Sequence, residues 1–131
     1  MSGGEAPLVS VGWLCVRDGR LLVVRTRGCA VHYLPGGKPE AGESLAQALR
    51  REVAEELGMA IVASSIADAF VVHDRAHGLP GRQLQMHCYR ADAIGEPRPG
   101  REIAEVAWAG ARERDRCAPA VQQVIGRLFG L

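Results

Sequence analysis

Glu52, Glu55 and Glu56 stand within five residues of one another in the segment RREVAEELG, whose other side chains favour helix. On a helix turning roughly 100° per residue they share an arc of about 100°. Leu45, Leu49, Val53 and Leu57 recur every fourth position and form an apolar stripe beside that arc. Like charges three and four apart cost a helix roughly 0.2–0.5 kcal/mol per pair. A counter-charge would relieve that cost, and the natural one is a hard divalent cation. Mg²⁺ takes carboxylate oxygens and is commonly shared with substrate phosphates. Taken alone, the same segment also reads as a solvated acidic face.

The residues upstream give the helix an entry. Gly36-Gly37 after Pro35 makes a flexible turn, and Pro39 and Gly42 continue an irregular loop. Ser44 with Gln47 matches a capping box, so the helix starts at Ser44, and Gly58 is its stop signal. The unit is loop, helix, loop, with Glu43 at the loop end and three more acids on the helix.

Gly37, five residues, Glu43, seven residues and then Arg51-Glu52-Val53-Ala54-Glu55-Glu56-Leu57-Gly58-Met59 resembles the Nudix box, G-x5-E-x7-R-E-U-x-E-E-x-G-U with U aliphatic. Every specified position is filled, the aliphatic ones by Val53 and Met59. The resemblance implies an α+β protein, a Nudix-like α/β/α sandwich with a central mixed sheet and two main helices. It also implies hydrolysis of a nucleoside diphosphate linked to another group, with Mg²⁺ as cofactor and Mn²⁺ as a substitute.

By that resemblance Glu52, Glu55 and Glu56 are metal ligands, and Gly37 contributes its backbone carbonyl. The catalytic base varies in the family; here it is Glu52 or an acid in a later loop. Arg51 belongs to the catalytic set with the three glutamates, where it and Glu43 brace loop and helix by ion pairing. A further acid from outside the box commonly completes the metal site, and Glu102 is the first choice with Glu105 the second. Arg25 and Lys38 are the expected cations for the phosphates. Tyr33, with His32, His73, His77, Arg82 and Gln85, lies in segments within reach of a base or sugar. The small chain looks most like (d)NTP or oxidised-nucleotide pyrophosphohydrolases, which release a monophosphate and pyrophosphate. The alternatives are hydrolysis of ADP-ribose, a nucleotide sugar or a dinucleoside polyphosphate, and a nucleotide-binding Nudix module without turnover.

The elements that must position these residues are legible in outline. Leu8 to Val16 and Leu21 to Thr26, with Asp18-Gly19 between them, read as a hairpin over 8–26. After the box helix, residues 61–74 hold strand material centred on Phe70, Val71 and Val72. Residues 76–82, with Gly78, Pro80 and Gly81, form a loop, and Gln83 to Ala91 the next strand. A Gly- and Pro-rich loop at 95–100 precedes a strand near Glu105 to Ala109. Pro119 opens a final helix with Val121, Val124, Ile125 and Leu128 on one face. Trp13 and Trp108 are expected in the core.

Length and composition suit one domain over 1–131, with 47% hydrophobic and 24% charged residues. No run of about 18 apolar residues suggests a membrane span, and MSGGEAPL lacks the pattern of a secretory leader. Cys15, Cys29, Cys88 and Cys117 are far apart in sequence, so reduced thiols and a cytoplasmic location are expected. His32, His73, His77 and His87 show no metal-ligand spacing. A net charge of +1 and dispersed Arg82, Arg90, Arg98 and Arg101 argue against nucleic acid as a partner. The expected partner is a small-molecule nucleotide, with no membrane, and a homodimer is compatible with the sequence.

Overall fold

The computed structural model describes residues 6–130, so the first five residues of the stretch considered for a leader lie outside it. Among the described residues, nine strands and two α-helices follow in the order β1 (Leu8–Leu14), β2 (Val16–Arg17), β3 (Arg20–Thr26), β4 (Gly36–Gly37), α1 (Leu45–Leu57), β5 (Ala60–Ile61), β6 (Ala67–Arg75), β7 (Gln83–Arg90), β8 (Ala93–Ile94), β9 (Ile103–Ala109) and α2 (Pro119–Phe129). Short 3₁₀ turns at Ala63–Ser65 and Ala111–Arg116 join them.

One sheet has the order β4-β1-β7-β6 and a second the order β2-β3-β9, with β5 and β8 paired separately. β1 and β7 run parallel, Leu8 opposite Leu84 through Leu14 opposite Arg90. The other pairings are antiparallel, so the first sheet is mixed.

Side-chain alternation divides the interior into two cores. Leu22 and Val24 of β3, with Val11 and Trp13 of β1 and Tyr89 of β7, meet Ala48, Leu49, Val53 and Leu57 of α1. Leu21 and Val23, with Leu14, Met86 and Cys88, join Val121, Val124 and Ile125 of α2 on the other side. Buried on both faces, β3 reads as the continuous apolar run LLVV. The result is the expected α+β architecture, strands between two main helices.

The hairpin expected over 8–26 is confined to β2 and β3. Val16 pairs with Leu21 and Arg17 with Arg20, across Asp18 and Gly19 with φ of 51° and 74°, as a two-residue turn requires. β1 instead leaves for the other sheet, where β4 and β7 flank it. An interior position hides Val11 and Trp13 far better than an edge beside β3 would.

Trp13 is buried and its Nε1–H donates to the Ala91 carbonyl at 3.0 Å. Trp108 departs from expectation: it is only partly buried, with the Arg17 guanidinium 5.4 Å from its ring. A cation over the ring face lets an aromatic residue remain at the surface. The four cysteines are free. Among the described residues no helix is long and apolar enough to cross a membrane.

Candidate active site

The helix carrying the acids is fixed at both ends as its sequence demands. Ser44 Oγ accepts from Gln47 N at 3.0 Å, while Gln47 Oε1 accepts from Ser44 N at 2.8 Å. Gly58 ends the helix with φ of 68°, a left-handed conformation natural to glycine. Ala48, Leu49, Val53 and Leu57 anchor its inner face, which leaves Glu52, Glu55 and Glu56 to the loops around it.

Two loops converge on those acids. The Gly36-Gly37 strand pairs with Val11 and Gly12 of β1. Gly36 has φ of 146°, and a Cβ there would strike the Val11 carbonyl oxygen, so the position is closed to any other residue. Gly36 N–H donates to Glu56 Oε1 at 2.9 Å. A Cβ on Gly37 would run into Glu52 Oε2, so the strand and the carboxylate are packed directly together.

The second loop, 98–103, docks on the helix end. Arg98 N, Gly100 N and Arg101 N donate to the carbonyls of Leu57, Glu56 and Glu55 at 3.0, 2.7 and 3.2 Å. These bonds satisfy carbonyls that a helix C-terminus otherwise leaves open. The same docking brings Glu102, with a left-handed φ of 59°, to the acids. Glu40, Arg51, Glu52, Glu55, Glu56, Arg101 and Glu102 line one cavity of about 280 Å³.

Arg51 organises this cavity. Its Nε and Nη2 bind Glu43 at 2.7 and 2.9 Å, and Nη1 binds Glu55 at 3.2 Å. Nη2 also donates to the Lys38 carbonyl at 3.1 Å, and Glu52 lies 3.6 Å from Nη1. The paired hydrogen bonds hold the Glu43 carboxyl down at about 2. Arg51 and Glu43 therefore tie the glycine loop to the helix, the bracing role expected of them. Arg101, which sequence reasoning counted only among dispersed basic residues, pairs with Glu55 at 2.9 Å. Its place beside Glu102 was the available signal. Glu40, 3.7 Å from Arg51, was also missed.

Burial sets the protonation of the inner acids. Glu56 is pushed up to about 8, chiefly by loss of water, against the opposing pull of the Gly36 N–H. Burial likewise raises Glu52. Six carboxylates, Glu40, Glu43, Glu52, Glu55, Glu56 and Glu102, surround two guanidiniums here. That surplus of hard oxygen donors suits a divalent cation of the Mg²⁺ type. Among the described residues no three side chains already converge in a ligand arrangement; Glu55 is instead drawn to Arg51 and Arg101.

Glu56 also lines a larger cleft of about 570 Å³, together with Gly36, Gly37 and Lys38. Tyr33, His77, Leu84 and Met86 enclose it further, and residues 118–121 at the start of α2 complete it. The Tyr33 and His77 rings meet edge to face, centroids 6.1 Å apart. Burial raises the Tyr33 phenol, so it remains protonated. Cleft and acidic cavity thus share a wall. Another cavity, between Trp13, Arg17 and Arg90, shares no lining residue with either.

Glu102 lines the acidic cavity, Gly37 packs against Glu52, and Lys38 and Tyr33 line the cleft. Arg25 does not. It faces Glu105 at 3.6 Å and the Cys29 carbonyl at 3.3 Å, because antiparallel pairing sets it opposite Glu105 in the β3–β9 ladder. Glu105, the second choice for a completing acid, is set by the same register outside the acidic cavity and lies 2.6 Å from His32. Of the segments considered for base contact, His77 lines the cleft. His32 is instead built into the core, His73 lies on β6 with its carbonyl bonded to Gln123, and Gln85 bonds His87 on β7.

The family model described as NUDIX domain matches residues 6–122. An 8-oxo-dGTP diphosphatase of Haemophilus influenzae is 34% identical over 98 residues, covering 72% of this chain and 68% of that protein. A Mycobacterium tuberculosis relative is 36% identical over 81 residues, which span 61% of this chain and about half, 54%, of its own length. Among solved structures, a MutT NUDIX hydrolase from Burkholderia pseudomallei superposes with a TM-score of 0.75 at 26% identity, covering 95% of this chain and 99% of that one. The E. coli ORF135 protein gives 0.70 at 26%, covering 94% and 89%.

Proposed function

Because the chain belongs to the Nudix hydrolase family, we propose that it is a Mg²⁺-dependent pyrophosphohydrolase acting on a (d)NTP or an oxidised nucleotide. The supporting observation is the shared wall: Glu56 lines both the acidic cavity and the cleft holding Tyr33 and His77. A nucleotide has the same two-part chemistry, an apolar planar base joined to a polyanion. In this reading the base occupies the larger cleft against Tyr33, Lys38 faces the phosphates, and the chain of phosphates ends among the glutamates.

Glu52, Glu55, Glu56, Glu102 and the Gly37 carbonyl would hold the cation, Mg²⁺ or in its place Mn²⁺. When bound, such an ion neutralises phosphate charge and lowers the pKa of water. Glu52 receives the proton of the attacking water at its carboxylate. Water oxygen joins one phosphorus, the bridging P–O bond breaks, and pyrophosphate departs from the monophosphate. Arg51 holds Glu43, the Lys38 carbonyl and Glu55 in register. Relatives named for 8-oxo-dGTP favour oxidised purine nucleotides as substrates, and a cytoplasmic location would give access to that pool.

Chromatographic product analysis tests the reading. A panel of dNTPs, NTPs, 8-oxo-dGTP, ADP-ribose, a dinucleoside tetraphosphate and a nucleotide sugar is incubated with Mg²⁺ or with chelator. Mg²⁺-dependent release of monophosphate and pyrophosphate from a triphosphate is expected. Tight binding without turnover would replace this reading with a nucleotide-binding module.

A further inference from the structure

His32 is a buried titratable group that the proposed chemistry does not use. It is 9% exposed, and its ring meets an acceptor at each nitrogen. Nε2 lies 2.6 Å from Glu105 Oε1 and Nδ1 3.4 Å from the Arg116 carbonyl. A carboxylate and a carbonyl both accept, so the ring is held chiefly through the short contact to Glu105, with the Arg116 carbonyl beside its other nitrogen.

The backbone of the same residue joins two parts of the cleft. His32 N donates to Arg116 O at 2.9 Å, and Ala118 N donates to His32 O at 3.0 Å. The next residue, Tyr33, exchanges two bonds of 2.8 Å with Val24. One side of the staple therefore carries Tyr33 and the other leads into residues 118–121, and both line the cleft.

We propose that His32 is a positioning residue for substrate binding, whose ring, held between Glu105 and the Arg116 carbonyl, fixes the spacing between Tyr33 and the start of α2. This rests on the cleft being the nucleoside site. The hydrogen bond from His32 also holds Glu105 below the usual carboxylate range. The other charged or titratable groups around the pair are Arg25 on β3, 3.6 Å from Glu105, and Glu113, Arg116 and Cys117 before α2. Burial pushes Cys117 up to about 11, so its thiol stays neutral, and Glu113 is engaged by Gly110 N–H at 2.7 Å.

Glu105→Ala is the first variant, since Glu105 is half exposed and its loss spares the core. Losing a charged hydrogen bond that spaces the site should raise KM about tenfold, with kcat changed less than about twofold. Glu105→Gln should restore part of the affinity. The double variant with His32→Ala should resemble Glu105→Ala rather than the product of two effects. Unchanged KM in Glu105→Ala overturns the proposal, as does loss of thermal stability with KM intact. Calorimetric titration with a nucleoside monophosphate needs no turnover. Parent binding that weakens about tenfold in Glu105→Ala supports the proposal, and equal binding, or none in the parent, overturns it. Failure of the parent to hydrolyse any nucleotide counts only against the catalytic reading.

Discussion

Gly37 and Glu52 are in contact so close that a single methyl on the glycine would overlap the Glu52 carboxylate. The strand of the glycine loop and the first acid of the helix are therefore one packed unit.

Gly37→Ala should push Glu52 out of place while sparing the core. A displacement of about 1 Å in a catalytic group can cost about 10²-fold, and a kcat loss of that order is expected with a nearly unchanged melting temperature. Steady-state kinetics beside thermal unfolding would check both halves.

Glu55→Gln and Glu56→Gln should each lower turnover by about 10²-fold or more, since each removes an anionic oxygen from the proposed metal site. Circular dichroism should show the fold retained. A variant with nearly the parent's rate would remove that residue from the ligand set.

Metal-free protein should lose stability as pH rises. Glu56 is raised by burial from the ordinary 4.5 to about 8, so between those values the folded chain keeps a proton that the unfolded chain has released. Its contribution is fully present below about 4.5 and is lost as pH climbs through about 8, at on the order of 1 kcal/mol per pH unit. Urea midpoints measured in chelator at pH 5, 6, 7 and 8 should fall in sequence. Glu56→Gln should flatten the trend, and added Mg²⁺ should restore most at the highest pH.

Leu49→Ala should act through the core. Leu49 is fully buried between α1 and the strands, and such a truncation costs about 2–5 kcal/mol. Chemical denaturation would read this loss. Mg²⁺ affinity of the folded fraction should change little by comparison.

What the sequence carried well was local. Ser44, Gln47 and Gly58 delimit α1 because caps are chemistry within a few residues, and Pro119 opens α2 in the same way. That Glu102 lies beside the acids of α1 was reachable from its place before a late strand. Register between distant strands was not. That Arg25 falls opposite Glu105, away from the acids, depends on how β3 meets β9 across some eighty residues of chain. The departure of β1 from the expected hairpin has the same origin, a tertiary partner outcompeting a neighbour. The Arg101 pairing with Glu55 depends on a loop docking on a helix end, which no residue pattern within that loop announces.

The parallel pairing of β1 with β7 also sets the order in which the protein can assemble. Leu8 must wait for Leu84, and Leu14 for Arg90, so during synthesis β1 has only the two residues of β4 to pair with until β7 has been made. Loop closure over that distance precedes any return in contacts and slows folding relative to local hairpins. Through that interval the edge of β1 that later meets β7 is open to other chains. Synthesis at lower temperature, or with chaperones present, should therefore raise the yield of native protein more than any change near the glutamates.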